Sequence, residues 1–150
     1  MATPDSSAHP ELASILAADL RAAFSKLKRR LREHGGAADL TPSQVSVLLR
    51  LEKDGASTVS SLARAEGIRP QSMSAVMMPL QEASLVSGAP DPSDKRQVLM
   101  SLTPKCLNLL QESRAARQDW LTRTIAQRLS TPEQEKLQAA IELLTRLVED

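Results

Sequence analysis

A chain of 150 residues with a formal net charge of +1 has room for one substantial core, and its charge balance alone points to no polyanionic partner. A lone cysteine excludes an intramolecular disulfide and a cysteine-based zinc cluster and fits a reducing compartment. With no apolar run near the length of a membrane helix, the expectation is a soluble, cytoplasmic protein. Trp120 and Phe24 are the only aromatic residues, so the core must come from Leu, Ile, Val, Met and Ala, which suits helices.

From Glu11 to His34 the residues Leu12, Ile15, Leu16, Leu20, Phe24, Leu27 and Leu31 recur every three to four positions, predicting an amphipathic helix that stops at Gly35-Gly36. The next helix starts at Leu40-Thr41-Pro42-Ser43-Gln44-Val45, where Thr41 caps, Pro42 takes the first helical position and Gln44 completes a capping box. The signal recurs in part at Leu102-Thr103-Pro104, and again at Thr131-Pro132-Glu133-Gln134, read with Thr131 as the cap. Lys105 to Arg128 has no breaker, and Leu137, Ala140, Ile141, Leu144, Leu147 and Val148 form a stripe near the C-terminal end. Long terminal helices around a small middle segment cannot all bury their apolar faces in one chain, so a symmetric dimer is the expected solution.

The middle segment carries the function. A short helix, Val59 to Glu66, capped by Ser57 or Thr58, turns inward Leu62 and Ala63 and ends at Gly67, after which Ile68 is expected to return to the core. A second helix, Pro70 to Ala83, puts Met73, Val76, Met77 and Leu80 on a buried stripe and Gln71, Ser72, Ser74, Ala75 and Met78 on the other face. That small, polar outer face suits a major groove about 12 Å wide, where Gln71 can pair with adenine and Ser72 and Ser74 with bases or phosphate. Two strands follow around Ser87 to Arg96, with Val98, Met100 and Leu102 expected on a half-buried face. At the hairpin tip Arg96 can reach a minor groove, with Asp94 orienting its guanidinium and Lys95 available for phosphate.

The ordered set Leu40-Thr-Pro-Ser-Gln44, Ser61-Leu-Ala-Arg64, Gly67-Ile-Arg-Pro-Gln-Ser-Met73, Leu85-Val86, Asp91-Pro-Ser-Asp-Lys-Arg96 and Ser101-Leu-Thr103 resembles the MarR family of bacterial transcription regulators. The resemblance implies a mainly α fold with a small β-wing: a winged helix-turn-helix lobe at 41–103, with a helical dimerisation lobe at 10–34 and 104–149, in a single domain over 1–150. It also implies a homodimeric repressor on double-stranded DNA, with no enzymatic activity and no cofactor. The DNA-contacting set is then Thr58, Arg69, Gln71, Ser72, Ser74, Ala75, Asp94, Lys95 and Arg96. A small aromatic or anionic effector is expected in a cleft between the two lobes, with no lining residue named by the sequence. Relatives usually carry glycine where Ser84 and Cys106 stand, and many carry a larger polar or basic reader where Ala75 stands. Peroxide-responsive relatives place their sensing cysteine near the N-terminus, so Cys106 reads as incidental, although a helix start could lower its pKa.

Other readings have less behind them. Lys26, Lys28, Arg29, Arg30 and Arg32 read as a solvated helix face, Trp120 and Phe24 as core or dimer-interface residues, and His9 and His34 lack metal-ligand spacing. No nucleophile elbow, phosphate loop or zinc-protease motif stands in the chain. The neutral middle segment, Ala75 and Pro79 would suit a winged-helix module for protein contact that has lost DNA binding. Against it stands Arg96, whose Asp-x-Arg tip a pure interaction module has no reason to keep.

Overall fold

In a computed structural model, residues 10–36 and 39–150 are described, and they form six helices and a three-stranded antiparallel sheet. In chain order these are α1 (Pro10–His34), α2 (Pro42–Asp54), β1 (Ser57–Thr58), α3 (Val59–Glu66), α4 (Pro70–Glu82), β2 (Val86–Pro90), β3 (Val98–Leu102), α5 (Pro104–Arg128) and α6 (Thr131–Val148). The chain divides into two compact units: Gly36–Ala115, and the segment ending at Gly35 together with Ala116–Asp150.

Local chemistry sets the helix starts. Thr41 Oγ1 accepts from the Gln44 N–H at 3.2 Å while Gln44 Oε1 accepts from the Thr41 N–H at 2.8 Å, the reciprocal box the sequence predicts. At α6 the box forms one residue earlier than expected: Ser130 caps, with Glu133 rather than Gln134 reaching back. Both frames exist in Ser-Thr-Pro-Glu-Gln, and the observed one places a carboxylate at the positive end of the helix dipole, where an amide gains less.

The core lies in the unit Gly36–Ala115, where Leu48, Leu62, Met73, Met77, Leu80 and Cys106 are its largest fully buried side chains together with Val47. Between α2 and α3 the chain makes a strand that no sequence pattern signals. Ser57 and Thr58 pair with Met100 and Leu99, so the sheet order is β1-β3-β2. Two residues are too few to display an alternating pattern. Two apolar expectations fail here, because Ile68 and Val98 are exposed. Ile68 is held by its backbone, its N–H bonding to Ala63 O at 3.0 Å across the end of α3, so that turn is fixed without burying the side chain. Val98 keeps the alternation with Met100 but lies in the outer part of the hairpin, paired with Pro90 beyond the reach of β1. There it packs over Gly88, where a Cβ would meet Val98 Cγ1 at 2.7 Å.

Helices α3 and α4 end the same way on different residues. Gly67 adopts φ +69° and donates to Arg64 O while the next N–H reaches Ala63 O; Ser84 adopts φ +59° and donates to Gln81 O while Leu85 N–H reaches Leu80 O at 2.9 Å. Ser84 is the one non-glycine residue among those described with a positive φ. Its Cβ carries a steric cost that glycine avoids, offset in part by the greater freedom of glycine in the unfolded chain. Ser84→Gly is therefore expected to raise stability by about 0.5 to 1 kcal/mol in urea unfolding at fixed protein concentration; an unchanged or lower midpoint would contradict this.

In the other unit, α1 and α6 contain no buried residue. Leu12, Ile15, Leu16 and Phe24 on α1, and Ile141, Leu143, Leu147 and Val148 on α6, are exposed in the single chain. Phe24 is thus no core residue. Trp120 is half-buried, its ring stacked on His34 with centroids 4.7 Å apart and the Arg30 guanidinium 5.9 Å from its centre. Of the basic run on α1, Arg30 also pairs with Glu33, and all five side chains are exposed.

Candidate nucleic-acid interface

The residues singled out for DNA contact lie on or beside a few neighbouring elements: Thr58 ends β1 and caps α3, Arg69 precedes α4, Gln71, Ser72, Ser74 and Ala75 are on α4, and Asp94, Lys95 and Arg96 are in the β2–β3 hairpin. On α4, Gln71, Ser72, Ser74 and Ala75 are exposed, while Met73, Met77 and Leu80 on the opposite face are buried and Val76 is partly so. A buried stripe on one side anchors the helix in the core and leaves its other side free for a ligand.

The two helix starts differ. Thr58 Oγ1 accepts from the Ser61 N–H and donates to Ser61 Oγ at 3.0 Å, so this hydroxyl is already committed. Arg69 precedes α4 with extended backbone and gives no side-chain cap, so the first N–H groups of that helix have no capping acceptor from Arg69, and its guanidinium is exposed. An anion is favoured at such a helix start, and more strongly beside a guanidinium.

At the hairpin tip, the Asp94 carboxylate accepts from the Arg96 backbone N–H and from Arg96 Nε, both at 3.1 Å. The Arg96 side chain is 91 % exposed even so, and Lys95 beside it is exposed. Arg96 holds the Asp94 carboxyl below the usual carboxylate range, chiefly through the side-chain hydrogen bond and then through its backbone N–H. Asp91 and Gln97 close the loop: Asp91 N–H donates to Gln97 O, and the Asp91 carboxylate accepts from Ser93 N–H at 2.8 Å. Arg96 thus projects from a tip whose backbone is tied down.

Further side chains hold this face in place, and sequence reading passed over them. Glu66, in the last turn of α3, accepts from Ser46 Oγ at 2.9 and 3.0 Å and from Arg50 Nε at 3.0 Å, both on α2. A carboxylate at a helix C-terminus is disfavoured by the dipole, and these partners compensate, holding its pKa down chiefly through Arg50. At the end of α4, Lys105 Nζ donates to Ala83 O at 2.9 Å and Thr103 Oγ1 to Ser84 O at 2.6 Å. Arg114 forks onto Glu52, tying α5 to α2. These partners lie 16 to 62 residues apart, beyond any local pattern.

Cys106 fits its reading as incidental to sensing, while the lowering of its pKa that a helix start could give does not occur. It is fully buried in the core, and burial, with the Glu52 carboxylate second, pushes its thiol above the ordinary value. Among the described residues no cluster of His, Cys, Asp and Glu is arranged to hold a metal, and His9 lies outside them.

The family model described as the MarR family matches residues 40–98, the stretch from the cap of α2 to the start of β3. An uncharacterised HTH-type transcriptional regulator of Mycobacterium bovis is 38% identical over 90% of this chain and 94% of its own length. This chain belongs to the MarR family. As a MarR-family protein it is a transcriptional regulator and not an enzyme. The HTH-type transcriptional repressor MdtR of Bacillus subtilis is 28% identical over 87% of the chain and 82% of its own. A MepR variant of S. aureus, solved bound to an oligodeoxyribonucleotide, has the same fold at 19% identity, with a TM-score of 0.71 over 89% of this chain and 97% of that one. The mainly helical MarR architecture with a small antiparallel sheet is therefore the fold of this chain.

Proposed function

We propose that this MarR-family regulator is a homodimeric, sequence-specific repressor that reads a pseudo-palindromic operator. The recognition helix α4 would lie in the major groove, and the Arg96 tip would reach the adjacent minor groove. The observation that carries this reading is the Asp94–Arg96 pair: a guanidinium braced at its Nε and exposed over most of its surface, at the end of a tied-down hairpin. Gln71, Ser72 and Ser74 supply short hydrogen-bonding groups on the exposed face of α4, and Arg69, Lys95 and the start of α4 supply phosphate contacts. The unburied apolar faces of α1 and α6 support a symmetric dimer, which would cover them and present two α4 helices to half-sites one turn, about 34–36 Å, apart. Repression is supported by the name of the Bacillus relative, and DNA contact by the oligonucleotide bound to the MepR variant. Family membership also supports release by a small aromatic or anionic effector.

Fluorescence anisotropy with the intergenic DNA beside its own gene tests this. Expected are saturable binding with a dimer stoichiometry and an affinity that falls steadily with salt, because each phosphate neutralised releases counterions. A salt-independent affinity would contradict the contact scheme, and nonspecific binding alone would favour a winged-helix module for protein contact.

A further inference from the structure

Resting on that operator-binding reading, the outer face of α4 carries a second, different kind of reader. Gln71, Ser74, Ala75 and Met78 fall at i, i+3, i+4 and i+7, a single exposed stripe. Its chemistry changes along the helix, from amide and hydroxyl in the first turn to a methyl group at Ala75 and a thioether at Met78 in the second. Met78 is 60 % exposed, whereas Met73 and Met77 of the same helix are fully buried, so packing of the core does not account for it. Pro79 beside it is exposed and lacks an N–H, so this end of the face offers little to hydrogen-bond.

A base edge in the major groove presents one apolar group, the C5-methyl of thymine. We propose that Met78, together with the Ala75 methyl, reads thymine methyl groups, so that each half-site is read by hydrogen bonds at one end of α4 and by methyl contact at the other. Seven residues separate Gln71 from Met78, about 10.5 Å of helix rise, or about three base-pair steps of 3.4 Å. The thymine therefore lies within about three base pairs of the pair Gln71 reads, fewer the more α4 is inclined to the DNA axis. Glu82 is the next residue on the stripe, and its exposed carboxylate is repelled by phosphate, which marks the limit of the groove-facing surface.

The test uses an operator selected by the full-length chain from a random duplex pool, then resynthesised with uracil at each thymine in turn, which removes only the methyl group. With the wild-type protein, one uracil per half-site should weaken binding about three- to tenfold, as loss of one buried methyl contact implies. Met78→Ala, a substitution that an exposed helix position accepts, should bind the parent operator weaker by a similar factor and be indifferent to that uracil. Gln71→Ala, by relaxing base preference, locates the other end of the half-site. A wild-type uracil scan that is flat, or an equal uracil penalty in Met78→Ala, overturns the methyl reading while leaving operator binding intact. Failure to enrich any duplex overturns operator binding itself.

Discussion

Replacing Arg96 by alanine should weaken operator binding by roughly 1 to 3 kcal/mol, measured as the shift in anisotropy midpoint against the wild-type protein. The fold should survive, because the ion pair with Asp94 is exposed on the arginine side and exposed pairs contribute little to stability. On the proposed docking, what would be lost is a guanidinium meeting the negative potential of a narrow minor groove, twice in a dimer. Arg96→Lys is the informative companion. Lysine keeps the charge but not the planar fork through which Asp94 braces Nε, so it should recover only part of the loss. Wild-type affinity in Arg96→Ala would remove the wing from the interface.

The largest stability effect is expected at Leu80, which is completely buried on the inner face of α4. Leu80→Ala removes its packing and leaves a cavity, a change that typically costs about 2 to 5 kcal/mol. The site has little capacity to compensate. Pro79 has no N–H to offer the Ala75 carbonyl, so the last turn of α4 leans on packing and on the bonds at its end, among them Leu85 N–H to Leu80 O, Ser84 N–H to Gln81 O and Lys105 Nζ to Ala83 O, none of which refills a cavity at Leu80. Met78→Ala, two residues away on the exposed side, should change stability by no more than about 0.5 kcal/mol. Denaturant unfolding at one protein concentration compares the two, and near-equal midpoints would refute this account of how α4 is held.

The fold was readable in the chain wherever the signal was local. The Thr41–Gln44 box, the Gly67 turn and the stripe of Met73, Met77 and Leu80 each lie within one or two turns of helix, and all stand as read. The mistaken cap at Thr131 came from two overlapping boxes differing by a single step. Val98 followed its strand period but not its burial, because burial depends on how far β1 and the helices extend over the hairpin. Cys106 was read as incidental, which its burial supports; only the lowering a helix start could give was out of place, because helix position is a local fact and depth in the core is not. In the candidate interface, the exposure of Gln71, Ser72, Ser74, Ala75, Lys95 and Arg96 followed from periodicity and turn composition. The brace of Glu66 by Ser46 and Arg50, and of the end of α4 by Lys105, had no trace in spacing.

The unit Gly36–Ala115, which holds α4 and the hairpin, carries eight acidic and eight basic residues, so it presents no net charge to DNA. Attraction to bulk DNA grows with the counterions a protein displaces, and here the cations that can displace them are few and local to α4 and the hairpin tip. If it binds DNA as proposed, such a molecule would spend little of its time stored on the chromosome at random sequence. It would find its operator mainly by repeated collision from free solution rather than by long sliding, and its occupancy would track its own free concentration closely. Small changes in synthesis rate would then pass almost undamped to the genes it controls.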